Sequence, residues 1–300
     1  MNKRIDIKVT FNCNNHCYFC VQGKKRKYYK PKSLDEIFQE LNIAFREGYK
    51  EVVFTGGEPT LHKDILEIVA EAKRIGYKNI QIQTNGRMFY YKDFCKKIIK
   101  AGMTEFSPAI HGSNSKIHDF LTNSKAAFKE TVTGIINVRK ISSKIPIITN
   151  TVITKPNIFD LPKIAKLLVS LKVTQFQLAF VHILGSAAEN SSWLIPKKSV
   201  VEPFVKKALD IGISSQIKVM TEAIPYCFMK GYENYVAEEI IPSTKIIDAD
   251  RTIKSYELYR KEEGKIKSEK CKKCKFFDKC EGPWKEYPQL FGWHEFIPIK

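Results

Sequence analysis

The sequence lacks any apolar run long enough to cross a membrane, which takes about 20 consecutive apolar residues in a helix. Its first residues, Met1–Lys8, alternate charged and apolar side chains and so lack the continuous apolar core of a secretion signal. Both absences argue against a membrane or secreted protein. We therefore expect a cytoplasmic protein with no membrane partner.

Cysteine is too scarce for a disulfide-stapled domain, since the 300 residues contain only eight. Six of the eight fall in two short groups, Cys13–Cys20 and Cys271–Cys280. Such short spacings are typical of metal ligands in a reducing compartment. Cys95 lies among apolar residues of a predicted helix, and we expect it to be a packed thiol.

Acidic residues are also few, with 32 Asp and Glu against 50 Lys and Arg, which gives a formal charge of +18. A basic balance is compatible with nucleic acid, with an acidic substrate or simply with solubility. The densest basic run is Lys24–Lys30, directly after the first cysteine group. It is either a solvated loop or an electrostatic lip over a site for an anionic substrate.

Strand and helix patterns alternate six times along the chain, which predicts parallel strands with right-handed crossovers. The predicted strands cover residues 5–11, 52–55, 80–84, 106–110, 147–153 and 175–181. The predicted helices cover residues 34–45, 64–75, 91–101, 126–141, 160–171 and 200–211. This is an α/β fold, either doubly wound or curled into a full or partial barrel, with function at the carboxyl ends of the strands.

Three cysteines follow the first predicted strand, in the sequence Cys13-Asn-Asn-His-Cys17-Tyr-Phe-Cys20. Their spacing lets one loop supply three corners of an iron–sulfur cluster, which leaves one iron of a four-iron cluster without a protein ligand. Structural zinc prefers four ligands, and His16 is the only other local candidate. The same predicted rim carries Gly56-Gly57-Glu58-Pro59 after the second strand.

These two motifs resemble those of the radical S-adenosylmethionine (radical SAM) superfamily. Its Cys-x3-Cys-x-aromatic-Cys signature matches Cys13, Cys17, Phe19 and Cys20, and its Gly-Gly-Glu-Pro motif matches Gly56, Gly57, Glu58 and Pro59. The resemblance implies a partial (β/α)6 barrel over residues 1–215. It also implies a [4Fe–4S] cluster on the three cysteines, with SAM bound at the open iron.

The resemblance assigns further roles near the cluster. Phe19 is similar to the aromatic residue that contacts adenine, although core packing competes for that role. Glu58 is suited to receive the SAM ammonium group, and Gly56 and Gly57 let the backbone approach a ligand, although an ordinary strand-end turn explains the same residues. The strand-end residues that correspond to ribose or carboxylate contacts are Thr84, Asn85 and Asn150.

The chemistry implied by the resemblance is one-electron reduction of SAM. A donor such as flavodoxin or ferredoxin would reduce the cluster, the carbon–sulfur bond of SAM would break, and a 5′-deoxyadenosyl radical would abstract hydrogen from the substrate. The protein's contribution is positioning and water exclusion. The motifs name neither the substrate nor the hydrogen atom.

A second cysteine set lies in residues 216–300, with Cys271, Cys274 and Cys280 in the tail and Cys227 upstream. Four thiolates saturate either a zinc ion or a second cluster. The tail resembles the SPASM and shorter twitch auxiliary-cluster modules, although Trp284 stands where SPASM would place a further cysteine. We expect a second [4Fe–4S] cluster, with zinc as the alternative.

Cys227 has four open interpretations. It is a fourth cluster ligand, a free thiol beside a cluster with an open iron, a hydrogen-atom donor in catalysis, or a buried apolar cysteine. Ligation is favoured because the count of cysteines then closes at four.

The function predicted first is peptide or small-molecule oxidation or cross-linking, because the tail resembles those of peptide-modifying relatives. The alternative is nucleotide or RNA modification, which the charge and the tyrosines Tyr28 and Tyr29 among lysines favour. A third hypothesis is a non-catalytic iron–sulfur protein, which would bind the cluster but not cleave SAM.

Overall fold

The computed structural model describes residues 3–300, so Met1 and Asn2 of the predicted alternating segment lie outside the described residues. Strand β1 is central and runs parallel to β2 on one side and to β8 on the other. One sheet has the order β4-β3-β2-β1-β8-β9, and a second has the order β5-β6-β7. Every pairing within them is parallel except that of β8 with the short strand β9.

The nine strands and the helices among residues 3–300 have the following bounds. The strands are β1 Arg4–Thr10, β2 Glu51–Gly56, β3 Asn79–Thr84, β4 Glu105–Pro108, β5 Ile148–Ile153, β6 Gln175–Phe180, β7 Lys218–Glu222, β8 Thr244–Ile247 and β9 Thr252–Ile253. The α-helices are α1 Leu34–Arg46, α2 Ile65–Ile75, α3 Lys92–Ala101, α4 Ser115–Thr122, α5 Ala127–Ile141, α6 Leu161–Ser170, α7 Ser186–Glu189, α8 Ser191–Leu194, α9 Lys198–Ser214, α10 Tyr256–Tyr259 and α11 Glu286–Phe291.

The two sheets are linked at β4 and β5 by isolated parallel bridges, Phe106 with Ile147 and Ala109 with Asn150. One series of parallel strands therefore runs from β8 through β1 to β7, and it forms the partial barrel predicted from the sequence. The carboxyl ends of these strands lie on one rim, where the cysteine loop follows β1 and the Gly-Gly-Glu-Pro motif follows β2.

The local sequence explains why these helices form where they do. Ser33 and Glu36 make a complete capping box at the start of α1, in which each side chain binds the other residue's backbone N–H. Helix α2 ends at Gly76, whose φ of +105° is a left-handed conformation that favours glycine. Alternating apolar residues of β1, including Ile5 and Ile7, are completely buried in the central core.

All six predicted strand–helix units are present, with ends within a few residues of the predicted ones. The structure adds α4, which the sequence analysis did not predict, and the strands β7 to β9 beyond residue 215. Because β7 pairs with β6 and β8 pairs with β1, the sheet extends past residue 215. A domain boundary at that point stays a prediction.

Among residues 3–300, no helix has both the length and the apolar character needed to cross a membrane.

Candidate cluster site at the barrel rim

The cysteine loop leaves the end of β1 and is fixed by backbone hydrogen bonds to the end of α4. His16 N–H donates to Thr122 O at 2.9 Å, and Tyr18 N–H donates to Leu121 O at 3.1 Å. Within the loop, Asn15 N–H donates to Cys13 Sγ at 3.4 Å. The end of helix α4 therefore holds the cysteine loop in place.

Two arginines also hold this loop, Arg26 of the basic run and Arg87, which the sequence analysis did not single out. Arg87 Nη1 donates to Asn14 O at 2.6 Å and to Asn15 Oδ1 at 2.9 Å. Arg26 Nη1 donates to Asn15 O at 3.0 Å. Arg87 lies 73 residues from Asn14, so no local spacing could have revealed its contacts. Arg26 belongs to the basic run next to the loop, and the sequence did not predict which group it would bind.

The three loop thiols are half-buried close to one another, which makes their ionisation costly. Burial raises the pKa of Cys13 to about 11. Burial also raises the pKa of Cys17 well above its usual range, and repulsion from Cys20 and Cys13 adds to the rise. A metal cluster supplies the positive charge that stabilises neighbouring thiolates, so the donor set fits an iron–sulfur cluster.

The glycines of the Gly-Gly-Glu-Pro motif pack directly on the backbone that leads to Cys13. A Cβ at Gly56 would lie 2.1 Å from Thr10 O, and a Cβ at Gly57 would lie 2.4 Å from Phe11 O. Gly57 N–H also donates to Thr10 O at 2.7 Å. The close approach that glycine allows here is therefore to the cysteine loop, and approach to a ligand stays a prediction.

Glu58 is fully buried, and its carboxylate joins the ends of β2 and β3. Its Oε1 accepts hydrogen bonds from the backbone and hydroxyl of Thr60 and from the Thr84 hydroxyl at 2.6 Å. Its Oε2 accepts one, from Asn85 N–H at 2.7 Å. Burial raises the pKa of Glu58 despite these donors. Oε2 can accept a further hydrogen bond, so it is the carboxylate oxygen best suited to the predicted contact with the SAM ammonium group.

The remaining predicted ligand residues lie on the same rim. Asn85 Nδ2 donates to Asn14 Oδ1 at 2.6 Å, beside the cysteine loop. Asn150 Oδ1 on β5 is buried and has no hydrogen-bond partner, so it has a free acceptor for a polar ligand. Pro59 begins a short 3-10 turn, Pro59–Leu61, and is buried. Phe19 is also buried and contacts the His111 ring at a centroid distance of 4.5 Å.

Two histidines, His111 and His118, pack against each other next to Phe19 at this part of the rim. His111 N–H donates to His118 Nδ1 at 3.1 Å, and the two rings stack at 5.7 Å. Burial lowers the pKa of His118 to about 4, and the charge of Arg87 lowers it further. Both imidazoles are therefore neutral at physiological pH and act as packed, hydrogen-bonded core residues.

The second cysteine set meets at one cavity, although Cys227 lies more than forty residues before the other three in sequence. One cavity is lined by all four members, namely Cys227, Cys271, Cys274 and Cys280. Burial raises the pKa of Cys227, and the other three sulfurs raise it further. Gly282 N–H donates to Cys280 Sγ at 3.4 Å. Within residues 3–300, no group of three or more His, Cys, Asp or Glu side chains is arranged to hold a single metal ion.

A buried ionic network, also missed by the sequence analysis, attaches the tail to the barrel. Arg260 makes a bidentate pair with Glu281, both distances being 2.9 Å. Lys265 Nζ lies 2.9 Å from Glu281 Oε2 and 2.7 Å from Glu238 Oε1. Glu238 Oε1 also accepts from Ala223 N–H, directly after β7. This network positions the segment that carries Cys280.

The basic run Lys24–Lys30 is partly neutralised by ion pairs. Lys24 Nζ lies 2.9 Å from Glu189 Oε1, and Lys25 Nζ lies 2.8 Å from Asp248 Oδ1. Lys24 and Lys25 are therefore not free to attract an anionic substrate as part of the predicted electrostatic lip.

Comparison with known proteins identifies the family. Residues 7–168, just over half of the chain, match the family described as the Radical SAM superfamily. The chain therefore belongs to the radical SAM superfamily and is an enzyme of that class. The family implies a [4Fe–4S] cluster with bound SAM.

Curated relatives share part of the chain. A probable GTP 3′,8-cyclase of Saccharolobus islandicus is 30% identical over 183 residues, which are 60% of this chain and 58% of that relative. Another from Sulfurisphaera tokodaii is 28% identical over 207 residues, 68% of this chain and 64% of the relative. The match thus spans less than two thirds of the length of these relatives.

Solved structures share the fold at low sequence identity. Streptococcus suis SuiB bound to S-adenosylmethionine has a TM-score of 0.69 at 15% identity, covering 99% of this chain and 76% of that chain. Native anSMEcpe with bound AdoMet and a peptide has a TM-score of 0.67 at 16% identity, covering 99% of this chain and 96% of that chain. At these identities the likeness concerns the fold.

Proposed function

We propose that this radical SAM enzyme oxidises or cross-links a peptide or small molecule and carries a second [4Fe–4S] cluster in its tail. The observation that carries the proposal is the single cavity lined by Cys227, Cys271, Cys274 and Cys280. Four thiolates would occupy every iron of a four-iron cluster, so the tail centre would serve electron transfer or structure. Substrate would then bind in the barrel.

Cys13, Cys17 and Cys20 would hold the first cluster, which supplies the electron that cleaves SAM into methionine and a hydrogen-abstracting 5′-deoxyadenosyl radical. The chain's own residues would hold and orient SAM beside it. Glu58 Oε2 would accept from the ammonium group, and the unpartnered Asn150 Oδ1 would accept from a hydroxyl or amine donor. Phe19, Thr84 and Asn85 would complete the surroundings.

Two features of the fold's neighbours support a peptide substrate. SuiB was also solved with its precursor peptide SuiA, at a TM-score of 0.68 with 15% identity. The anSMEcpe structure that covers nearly all of both chains likewise contains a peptide. A tail centre closed by four cysteines would agree with a substrate that needs no free iron in the tail.

The curated relatives favour a second candidate, nucleotide cyclisation, because they carry the name GTP 3′,8-cyclase. That chemistry would be compatible with an open iron in the tail, to which substrate binds. An open tail iron requires that Cys227 does not ligate the cluster, whereas Cys227 lies with the three tail cysteines around one cavity. Ligation by Cys227 therefore discriminates the two candidates.

The test is anaerobic reconstitution of the full chain, followed by iron and sulfide assay and by measurement of 5′-deoxyadenosine. We expect about eight irons per chain, from two four-iron clusters. We expect Cys227→Ala to alter the tail cluster's spectrum, and Cys95→Ala, a buried thiol that donates to Phe89 O, to leave it unchanged. About four irons with one bound zinc would replace the second cluster by a zinc site.

Substrate class is tested with GTP and with the product of any short reading frame beside the gene. Flavodoxin or ferredoxin serves as the low-potential donor. We expect 5′-deoxyadenosine release to rise with the peptide and not with GTP. Stimulation by GTP would establish the nucleotide candidate, retention on RNA at physiological salt would favour RNA modification, and no SAM cleavage under any donor would indicate a non-catalytic protein.

A further inference from the structure

Arg26 differs from the other cations of the basic run in where its charge lies. It sits on a short 3-10 turn, Lys25–Lys27, and its guanidinium reaches back to the cysteine loop, where it donates to Asn15 O at 3.0 Å. Lys24 and Lys25 point to carboxylates instead. Among residues 3–300, no carboxylate lies within ion-pair distance of Arg26, so its charge is uncompensated there.

The hydrogen bond to Asn15 O places this charge at the cysteine loop, between Cys13 and Cys17 in sequence. Asn15 N–H in turn donates to Cys13 Sγ at 3.4 Å, so the residue that Arg26 holds also contacts a sulfur of the rim set. The guanidinium therefore lies beside the loop that would carry the cluster.

Arg87 provides an internal comparison, because it binds the same loop without the same electrostatic role. Its Nη1 contacts Asn14 O and Asn15 Oδ1, and its Nε pairs with Glu130. Glu130 offsets part of the charge of the guanidinium, so Arg87 binds the loop as one half of an ion pair. Arg26 brings a net positive charge into a half-buried position, where it is screened less than on an open surface.

We propose that Arg26 is a positioning residue whose charge, held at the cysteine loop by the hydrogen bond to Asn15 O, raises the reduction potential of the first cluster. Reduction takes one electron from a low-potential one-electron donor and adds one negative charge to the cluster, and the donor is oxidised by one electron. A fixed cation stabilises the more negative form. Net charge and hydrogen bonds to the sulfurs are the quantities that set such potentials.

The inference rests on the proposed ligation by Cys13, Cys17 and Cys20. Its test is an anaerobic redox titration of the reconstituted full chain, followed by electron paramagnetic resonance. The first cluster is recognised as the signal that changes when SAM is added, and the tail cluster serves as an internal reference. Because the signal comes only from loaded molecules, partial loading does not affect the midpoint potential.

The variants are Arg26→Gln, Arg26→Lys and Lys24→Gln. We expect a more negative midpoint of the first cluster in Arg26→Gln, a midpoint near wild type in Arg26→Lys, and no change in Lys24→Gln, which removes the same formal charge from the same run. The tail cluster should keep its midpoint in all three. Slower SAM cleavage at a fixed donor potential should accompany the shift in Arg26→Gln.

Three results would overturn the role of Arg26. They are an unchanged midpoint in Arg26→Gln, an equal shift in Lys24→Gln, or complete loss of the first cluster from Arg26→Gln, which would make Arg26 a mechanical tether of the loop. A wild-type chain without any SAM-sensitive signal would instead refute the ligation by the three loop cysteines. Iron content and spectrum thus separate the two failures.

Discussion

The two cysteine sets share a local device but are assembled differently. In each, a backbone N–H two residues along donates to a sulfur at 3.4 Å, Asn15 to Cys13 and Gly282 to Cys280. The rim set comes from one continuous loop at a strand end. The tail set joins Cys227 to a segment more than forty residues away, as the sequence numbering shows. The three rim cysteines would leave one iron of their cluster without a protein ligand. In the tail set, Cys227 would supply the fourth ligand.

The surroundings of the two sets differ in charge. The rim loop rests on backbone groups, asparagines and two neutral histidines, with Arg26 as its uncompensated cation. The tail set is held by the buried network of Arg260, Lys265 and two glutamates. The rim therefore has a polar, ligand-accepting environment, and the tail has a fixed, charge-paired one. Each prediction below separates these two environments.

The largest effect is expected from removing a rim ligand. Cys17→Ala should abolish 5′-deoxyadenosine formation and lower iron from about eight to about four per chain, because the tail cluster stays loaded. Cys95→Ala is the matched control, since Cys95 is buried and not in either set. Loss of all iron from Cys17→Ala would show that the two sets do not load independently.

The three rim cysteines can be recognised from the sequence as one group because their spacing is local, whereas the contacts that support them cannot. Cys13, Cys17 and Cys20 occupy one short stretch, so sequence distance approximates spatial distance. Arg87 and helix α4 reach the loop only through the barrel's topology. The Glu281 network likewise depends on residues from three separate segments, and charged residues give no periodic signal that would mark them as buried.

The second effect concerns the tail network. Glu281→Gln removes the carboxylate that serves both Arg260 and Lys265, and it should cost about 3–5 kcal/mol because two buried cations then lack a full counter-charge. Urea unfolding measures this loss. The tail cluster's signal should weaken while the rim cluster keeps its SAM-sensitive signal.

The control for Glu281→Gln is Lys261→Ala. Lys261 pairs with Glu257 on the surface, where both side chains are 46% exposed, so its loss should change stability by less than about 1 kcal/mol. A Glu281→Gln protein as stable as Lys261→Ala would mean that the tail is not held by its buried charges.

The third effect is a pH dependence confined to the rim. His118 has its pKa lowered to about 4 by burial and then by Arg87. Between about pH 6.5 and 4 the unfolded chain binds a proton that the folded chain does not, so stability is full above this window and falls on acidification. The difference is on the order of 3 kcal/mol from the size of the shift.

His118→Asn tests this pH dependence, because asparagine keeps an acceptor for His111 N–H and removes the titrating ring. Urea unfolding between pH 4 and 7 should show that the free energy of unfolding falls less steeply on acidification in the variant. The difference in slope should correspond to about one proton. An unchanged slope would assign the acid sensitivity to other groups, and His111, whose pKa burial also lowers, would be the next candidate.

The elements of the fold, like the residues of the two cysteine sites, differ in how far the sequence predicts them. The six strand–helix units were predictable because each repeats a helix period and a strand period over enough residues to be recognised. Strands β8 and β9 are short, at four and two residues, and their positions depend on pairing with β1 and with each other. Pairing across 240 positions leaves no local pattern, so the sheet's extension was not predicted.

The smallest effect tests the contact between these two regions. Lys25 lies beside the rim loop, and its Nζ is 2.8 Å from both Asp248 and Asp250 in the turn between β8 and β9. Its side chain is 22% exposed and that of Asp248 is 8% exposed, so Lys25→Ala leaves a carboxylate partly buried without its partner. The expected cost is about 1 kcal/mol by urea unfolding. Lys24→Ala removes a pair with Glu189 in which both side chains are more than half exposed, so it should cost measurably less than Lys25→Ala. Equal losses in the two variants would mean that the rim loop and the β8–β9 turn are stabilised independently, because the shared ion pairs would then contribute no more than an exposed one.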